Sequence, residues 1–170
     1  RWIVAVPPHE SLQGFQTLDV KPTSLAPAVG EPAPASDNPT TLTSRAKDIT
    51  TARPPDVELL RHSVADSIAA GVPFVVAFAT PQFCQTRVCG PVVDVVSAVR
   101  RELAGSGTRF IHVEIYEDNE PGKGVNRWVT EWRLPTEPYT FVVDRDGVVQ
   151  ATFEGAFSAE ELGEAARRVG

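Results

Sequence analysis

The sequence predicts an α/β domain whose sheet begins parallel and ends antiparallel. Three observations carry this. From Asp56 onward, helix-period and strand-period segments alternate. The run "VPFVVAFAT" is apolar over a strand's length, as a strand buried on both faces requires. Near the end, "YTFVVDRDGVVQATFEG" reads as two strands joined at Arg145-Asp146-Gly147, a hairpin signal.

The elements follow in order. "DVELLRHSVADSIAAG" reads as one helix or two short ones, with Asp56 or Ser63 as caps and Gly71 as the stop. The apolar strand comes next. "CGPVVDVVSAVRRELAG" places Val92, Val95, Val96 and Val99 on one helical face and ends at Gly105, with Pro91 near the helix start. Asp94, Arg100 and Arg101 fall on its solvent side. "TRFIHVEIY" is a second strand and "GVNRWVTEW" a short helix. After the hairpin, "SAEELGEAARRV" is a closing helix, marked by Ser158 with Glu161 three residues later, a capping box.

The chain before Asp56 differs in character, holding nine of the fifteen prolines. "RWIVAV" and "GFQTLDVKP" alternate like two short strands, with "PPHESLQ" as a turn between them. Residues 1–21 are thus expected to be a short β-hairpin remnant, either the end of an upstream β-domain or strands docked on the main domain. Residues 22–55, rich in Pro, Ser and Thr, have neither helical nor strand period and are expected to form an extended linker, its second half lying along the domain surface. The domain itself is residues 56–170. The chain starts at Arg1, so a longer precursor with a removed leader or lipid anchor, and through it a membrane tether, is expected.

Composition excludes some functions. A formal charge of -6 with no Lys/Arg cluster argues against nucleic-acid binding. No apolar run approaches the roughly 18 residues of a membrane span. No cofactor is indicated.

The only cysteines, Cys84 and Cys89, lie in "FATPQFCQTRVCGP". Five positions apart on one regular helix they would be separated by ~7.5 Å in rise and point about 140° apart. A disulfide needs Cα atoms within roughly 7 Å. A bond therefore requires Cys84 in the loop before the helix and Cys89 in or just before its first turn. A thiol there faces unpaired N–H groups, which favour thiolate. Arg87 would act in the same direction.

This order of elements, with a cysteine pair where the first core strand meets the next helix, resembles the thioredoxin-like superfamily. "FVVAFATPQFCQTRVCGP", "EPYTFVVDRDG" and "GEPAP" at residues 30–34 carry the resemblance, the last to the TlpA/ResA-like extracytoplasmic branch. It covers roughly residues 56–170. The resemblance implies a thioredoxin-like fold, a mixed central sheet flanked by helices. It also implies a thiol–disulfide oxidoreductase acting on protein thiols or disulfides, outside the cytoplasm, at the cell surface, in the periplasm or secreted. It makes Cys84 and Cys89 the catalytic pair and Pro138 a cis-proline facing them. Glu137, just before it, becomes a proton acceptor for the buried thiol, with Glu114 a second candidate. The acid that many relatives carry on the strand before the motif would fall near Ala77. The pair is Cys-x-x-x-x-Cys, not the usual Cys-x-x-Cys.

Three other readings stay open. An atypical two-cysteine peroxiredoxin also spaces its cysteines by four, but "TPQFC" is one residue longer than its motif, and Pro138 fills the slot of its arginine. A Sco-like copper protein needs two thiolates and a histidine, for which His112 is the candidate; a hydrogen-bonded core role for His112 is the simpler expectation. A non-catalytic binding module would use the pair as a structural disulfide, although so short a loop gains little from chain entropy. Trp128 and Trp132 fit packing or a partner groove. "DRDG" is explained by the hairpin turn, and the acids of "EIYEDNEPGKG" by a solvated loop, with a cation site there as a weaker reading.

Overall fold

A computed structural model describes residues 2–6, 10–14, 25–84 and 87–170, the first two stretches by backbone only. Its main sheet has four strands: β3 (Phe74–Phe78), β4 (Arg109–Val113), β5 (Tyr139–Val143) and β6 (Val149–Glu154). Their order is β4-β3-β5-β6. β3 pairs parallel with β4 and antiparallel with β5, and β5 pairs antiparallel with β6. The expected parallel start and antiparallel finish are both present.

Period-two alternation of apolar residues splits the core into two layers. Phe74, Val76 and Phe78 point to one face with Ile111, Val113, Phe141 and Val143. Val75 and Ala77 point to the other with Phe110 and Val142. That second face is covered by α3 (Cys89–Glu102) and α5 (Ala159–Arg167) through Val93, Val96, Val99, Leu162 and Ala166. Every residue of β3 is fully buried, which explains its unbroken apolar run. On α3 the buried stripe is Val92, Val93, Val96 and Val99, with Val95 at its edge.

The first helical segment divides in two because both expected caps act. Asp56 accepts the Glu58 N–H and starts a 3₁₀ turn at Val57–Leu60. Ser63 accepts the Asp66 N–H and starts α2 (Val64–Ala69). Ser158 and Glu161 form the expected capping box on α5. The hairpin turn is held by Asp144, whose Oδ1 accepts the N–H groups of Asp146 and Val148. Gly147 has φ +76, a conformation that disfavours other residues. Arg100 departs from its expected solvent role and is half-buried against Asp56 at 3.2 Å.

The proline-rich segment differs from the expected linker. From residue 25 on it is part of the packed domain, with Ala26, Ala33, Ile49 and Ala52 buried and α1 (Ala46–Ile49) formed within it. Its polar side chains do the anchoring. Asn38 Oδ1 accepts the Val64 N–H and the Ser36 carbonyl accepts the Ala65 N–H, so two orphan donors of α2 are satisfied from outside the helix. Ser36 Oγ donates to Glu131 Oε2 and accepts from Trp132 Nε1. The "GEPAP" stretch runs beside the hairpin, with Gly30 N–H on the Val149 carbonyl and Val149 N–H on the Glu31 carbonyl. Periodicity fails to report such a segment because polar bonds, not an apolar face, fix it.

The amino-terminal hairpin is β1 (Trp2–Val6) with β2 (Glu10–Gly14). The second strand thus falls earlier than expected. The register of the hairpin runs from Trp2 opposite Gly14 to Val6 opposite Glu10. Most of the expected strand "GFQTLDVKP" lies outside the described residues.

Candidate active site

The cysteines meet where β3 gives way to α3. After β3 the chain turns at once, as Thr80 O accepts the N–H groups of Phe83 and Cys84. Arg87 has φ 60, a left-handed conformation costing a non-glycine residue roughly 1–2 kcal/mol. Helix α3 then starts at Cys89. Cys84 is therefore in the loop and Cys89 at the first helical position, the arrangement that a disulfide between them requires, although the pair here is a dithiol.

The first turn of α3 has no side-chain cap at Val88. Cys84 stands in for one, its Sγ accepting the Cys89 N–H at 3.4 Å. This places a sulfur at the positive end of a fourteen-residue helix. The structure is the dithiol form. Cys84 is half-exposed and Cys89 is fully buried. Burial pushes the Cys89 thiol far above its ordinary value, its hydrogen bond with Cys84 adds to this, and a backbone hydrogen bond with Thr80 acts in the opposite direction. The two sulfurs therefore differ in both access and acidity.

The third member comes from a distant loop. The Glu137–Pro138 peptide is cis. It leads into β5, whose Tyr139 is in register with Phe78 at the end of β3. That pairing carries Glu137 to the sulfurs, and one ligand atom each from Cys84, Cys89 and Glu137 lie within 4.8 Å of one another. Among the described residues this is the one cluster with a metal-compatible donor set. Glu137 Oε2 is buried without a hydrogen-bond partner. Desolvation, and secondarily the Glu114 charge, raise the Glu137 pKa above its usual 4.5.

Glu114 is buried but engaged elsewhere. Its Oε2 accepts the Thr51 N–H at 2.7 Å and the Thr51 hydroxyl at 2.8 Å. Thr51 Oγ1 in turn accepts the Gln82 N–H at 3.2 Å. Glu114 thus braces the cysteine turn through Thr51. Sequence patterning missed Thr51, because a threonine in a proline-rich stretch carries no signal of its own.

His112 is buried at 3 % exposure, with Nε2 at 3.0 Å from the Ala79 carbonyl and Nδ1 at 3.3 Å from Thr50 Oγ1. Nε2 must donate to the carbonyl, so Nδ1 accepts the threonine hydroxyl and neither nitrogen is left for a metal. This removes the Sco-like ligand set. The position expected of a peroxidase arginine is Pro138, whose peptide bond with Glu137 is cis, and the side chain that meets the sulfurs there is the Glu137 carboxylate. Trp132 belongs to the core, and Trp128 is half-buried against the same cluster with its Nε1 on Asp37. In the acidic loop, Lys123 bridges Asp118 and Glu120.

This sheet, with a cysteine pair at the β3–α3 junction and a cis-proline opposite, is the thioredoxin-like fold. A thiol:disulfide interchange protein of the thioredoxin family from Chlorobium tepidum TLS is similar, with 16% identity, a TM-score of 0.51, and coverage of 64% of this chain and 85% of that one. A putative DsbE-type interchange protein from Chlorobium tepidum has 14% identity, a TM-score of 0.51 and the same coverage. A DsbF homologue from Corynebacterium diphtheriae has 18% identity and a TM-score of 0.50, covering 63% of this chain and 76% of that one. No family model and no curated protein matches the sequence.

Proposed function

We propose that this chain is a thiol–disulfide oxidoreductase that exchanges disulfides with protein partners. The observation that carries this reading is the asymmetric pair: a reachable sulfur on a helix N-terminus, a buried thiol beside it, and a carboxylate within 4.8 Å of both. Cys84 thiolate attacks a partner disulfide. The partner S–S bond breaks, and its electron pair leaves on the departing partner sulfur, which takes a proton. The mixed disulfide is then resolved by Cys89. Its proton passes to the Glu137 carboxylate, its thiolate attacks Cys84 Sγ, and the second partner thiolate leaves. The dithiol is oxidised and the partner disulfide reduced, and the reverse sequence oxidises a partner dithiol. A cleft of about 350 Å³ lined by Ile115, Tyr116, Val125, Val129, Leu134 and, at its edge toward the sulfurs, Glu137 supplies a largely apolar seat for the partner chain. The TlpA-like "GEPAP" lead-in supports an extracytoplasmic location.

Trapping tests this reading. Cys89→Ser protein, mixed with an oxidised model substrate, is expected to accumulate a mixed disulfide through Cys84 that reductant releases. Failure to form any adduct overturns the proposal.

Glu137→Gln checks the proton acceptor. Loss of a general base is expected to slow resolution about 10²-fold. Because the folded pKa of Glu137 is raised, its contribution to stability is full below 4.5 and is lost as pH rises through the folded value. Glutamine removes that loss. The variant should therefore melt above the parent at neutral pH, and the gap should close on acidification below 4.5. A gap that widens on acidification contradicts the assignment.

A further inference from the structure

The same three side chains have a chemistry that disulfide exchange does not use. We propose that the reduced protein binds one thiophilic divalent metal ion, of the zinc class, through Cys84, Cys89 and Glu137.

The donor set argues for the ion. Two sulfurs select soft or borderline metals over magnesium or calcium, and a carboxylate completes a zinc-compatible trio. Three protein ligands leave the fourth tetrahedral position to water or an external ligand. The geometry is close. Zinc–sulfur bonds of about 2.3 Å place two tetrahedral sulfurs about 3.8 Å apart. The present donors all lie within 4.8 Å, so side-chain rotation of about 1 Å closes the site.

Two further observations point inward. Glu137 Oε2 is buried and lacks a hydrogen-bond partner, a cost that a ligand would remove. Cys89 is fully buried, where a bare thiolate is disfavoured; a dication supplies the compensating charge, and the two thiol protons are released as it binds. Copper bound with histidine is a different site, because both His112 nitrogens are already engaged.

Binding consumes the dithiol, so the disulfide form has no site. If the exchange reading is correct, the ion holds the pair reduced and blocks turnover. Metal binding itself does not depend on that reading.

The test is an anaerobic titration of reduced full-length protein with Cd²⁺, read by thiolate-to-metal charge-transfer absorption, and with Zn²⁺ against a competing chelator. One ion per chain is expected. Cys84→Ser and Cys89→Ser should each abolish the band. Glu137→Gln should weaken binding about 10- to 100-fold while its melting curve shows a folded protein. Oxidised protein should give no band. Absence of a band in reduced protein, one ion per two chains, or unchanged affinity in folded Glu137→Gln each overturns the site. A chain that binds the ion yet forms no mixed disulfide would refute the exchange reading and leave this one standing.

Discussion

Replacing Cys84 by serine is expected to lower reduction of insulin by the dithiol protein by several orders of magnitude, the scale of loss seen when a covalent nucleophile is removed. The reason is access. Cys89 is fully buried beneath the first turn of α3, so only the half-exposed Cys84 can meet a partner disulfide. A serine hydroxyl is not ionised at neutral pH and cannot replace it. The fold should survive, because a serine oxygen can accept the Cys89 N–H that Sγ now accepts. A melting temperature near that of the parent, together with lost turnover, is the expected pair of results. Full turnover in Cys84→Ser would end the mechanism. Cys89→Ser should behave differently, completing the attack and stalling at the adduct.

Trp132→Ala is expected to give the largest loss of stability among single changes in this layer, about 3–5 kcal/mol. Trp132 is fully buried, with ring centroids 4.5 Å from Phe141 and 5.1 Å from Phe78. Its Nε1 donates to Ser36 Oγ at 3.0 Å, so the residue joins the sheet to the proline-rich segment. Alanine would leave a cavity and remove the donor to Ser36 Oγ, which would keep only its bond to Glu131. At roughly 2–4 °C per kcal/mol for a chain of this size, the melting temperature should fall by about 6–20 °C. Trp128→Ala, half-buried at the edge of the same cluster with its Nε1 on Asp37, serves as the comparison and should lower it by less. Equal effects of the two substitutions would contradict the packing described here.

Much of this was legible in the residues. β3 declared itself by an unbroken apolar run, α5 by Ser158 and Glu161, and the hairpin by Asp144 to Gly147. The placement of Cys84 before the helix followed from rise and angle for a bonded pair, and it holds here in the dithiol form. The approach of Glu137 required a resemblance, because nothing local to "TEPYT" says which strand β5 will meet. Residues 25–55 misled the reading for a physical reason. Ser36, Asn38 and Thr51 are held by polar bonds, to Trp132 and Glu131, to α2, and to Glu114, and such contacts leave no periodic trace. The second strand of the amino-terminal hairpin was displaced because alternation alone does not fix register.

The central claim is that Cys84 and Cys89 form a reversible, exchange-active pair. The reduction potential of that pair in the full chain, measured by equilibration with glutathione or a dithiol buffer, tests it most directly. A single two-electron couple between about -120 and -270 mV, the span of disulfide-exchange proteins, is the expected result. A potential far below about -300 mV, marking a bond that resists the thiol pool, would make the pair structural and contradict the account.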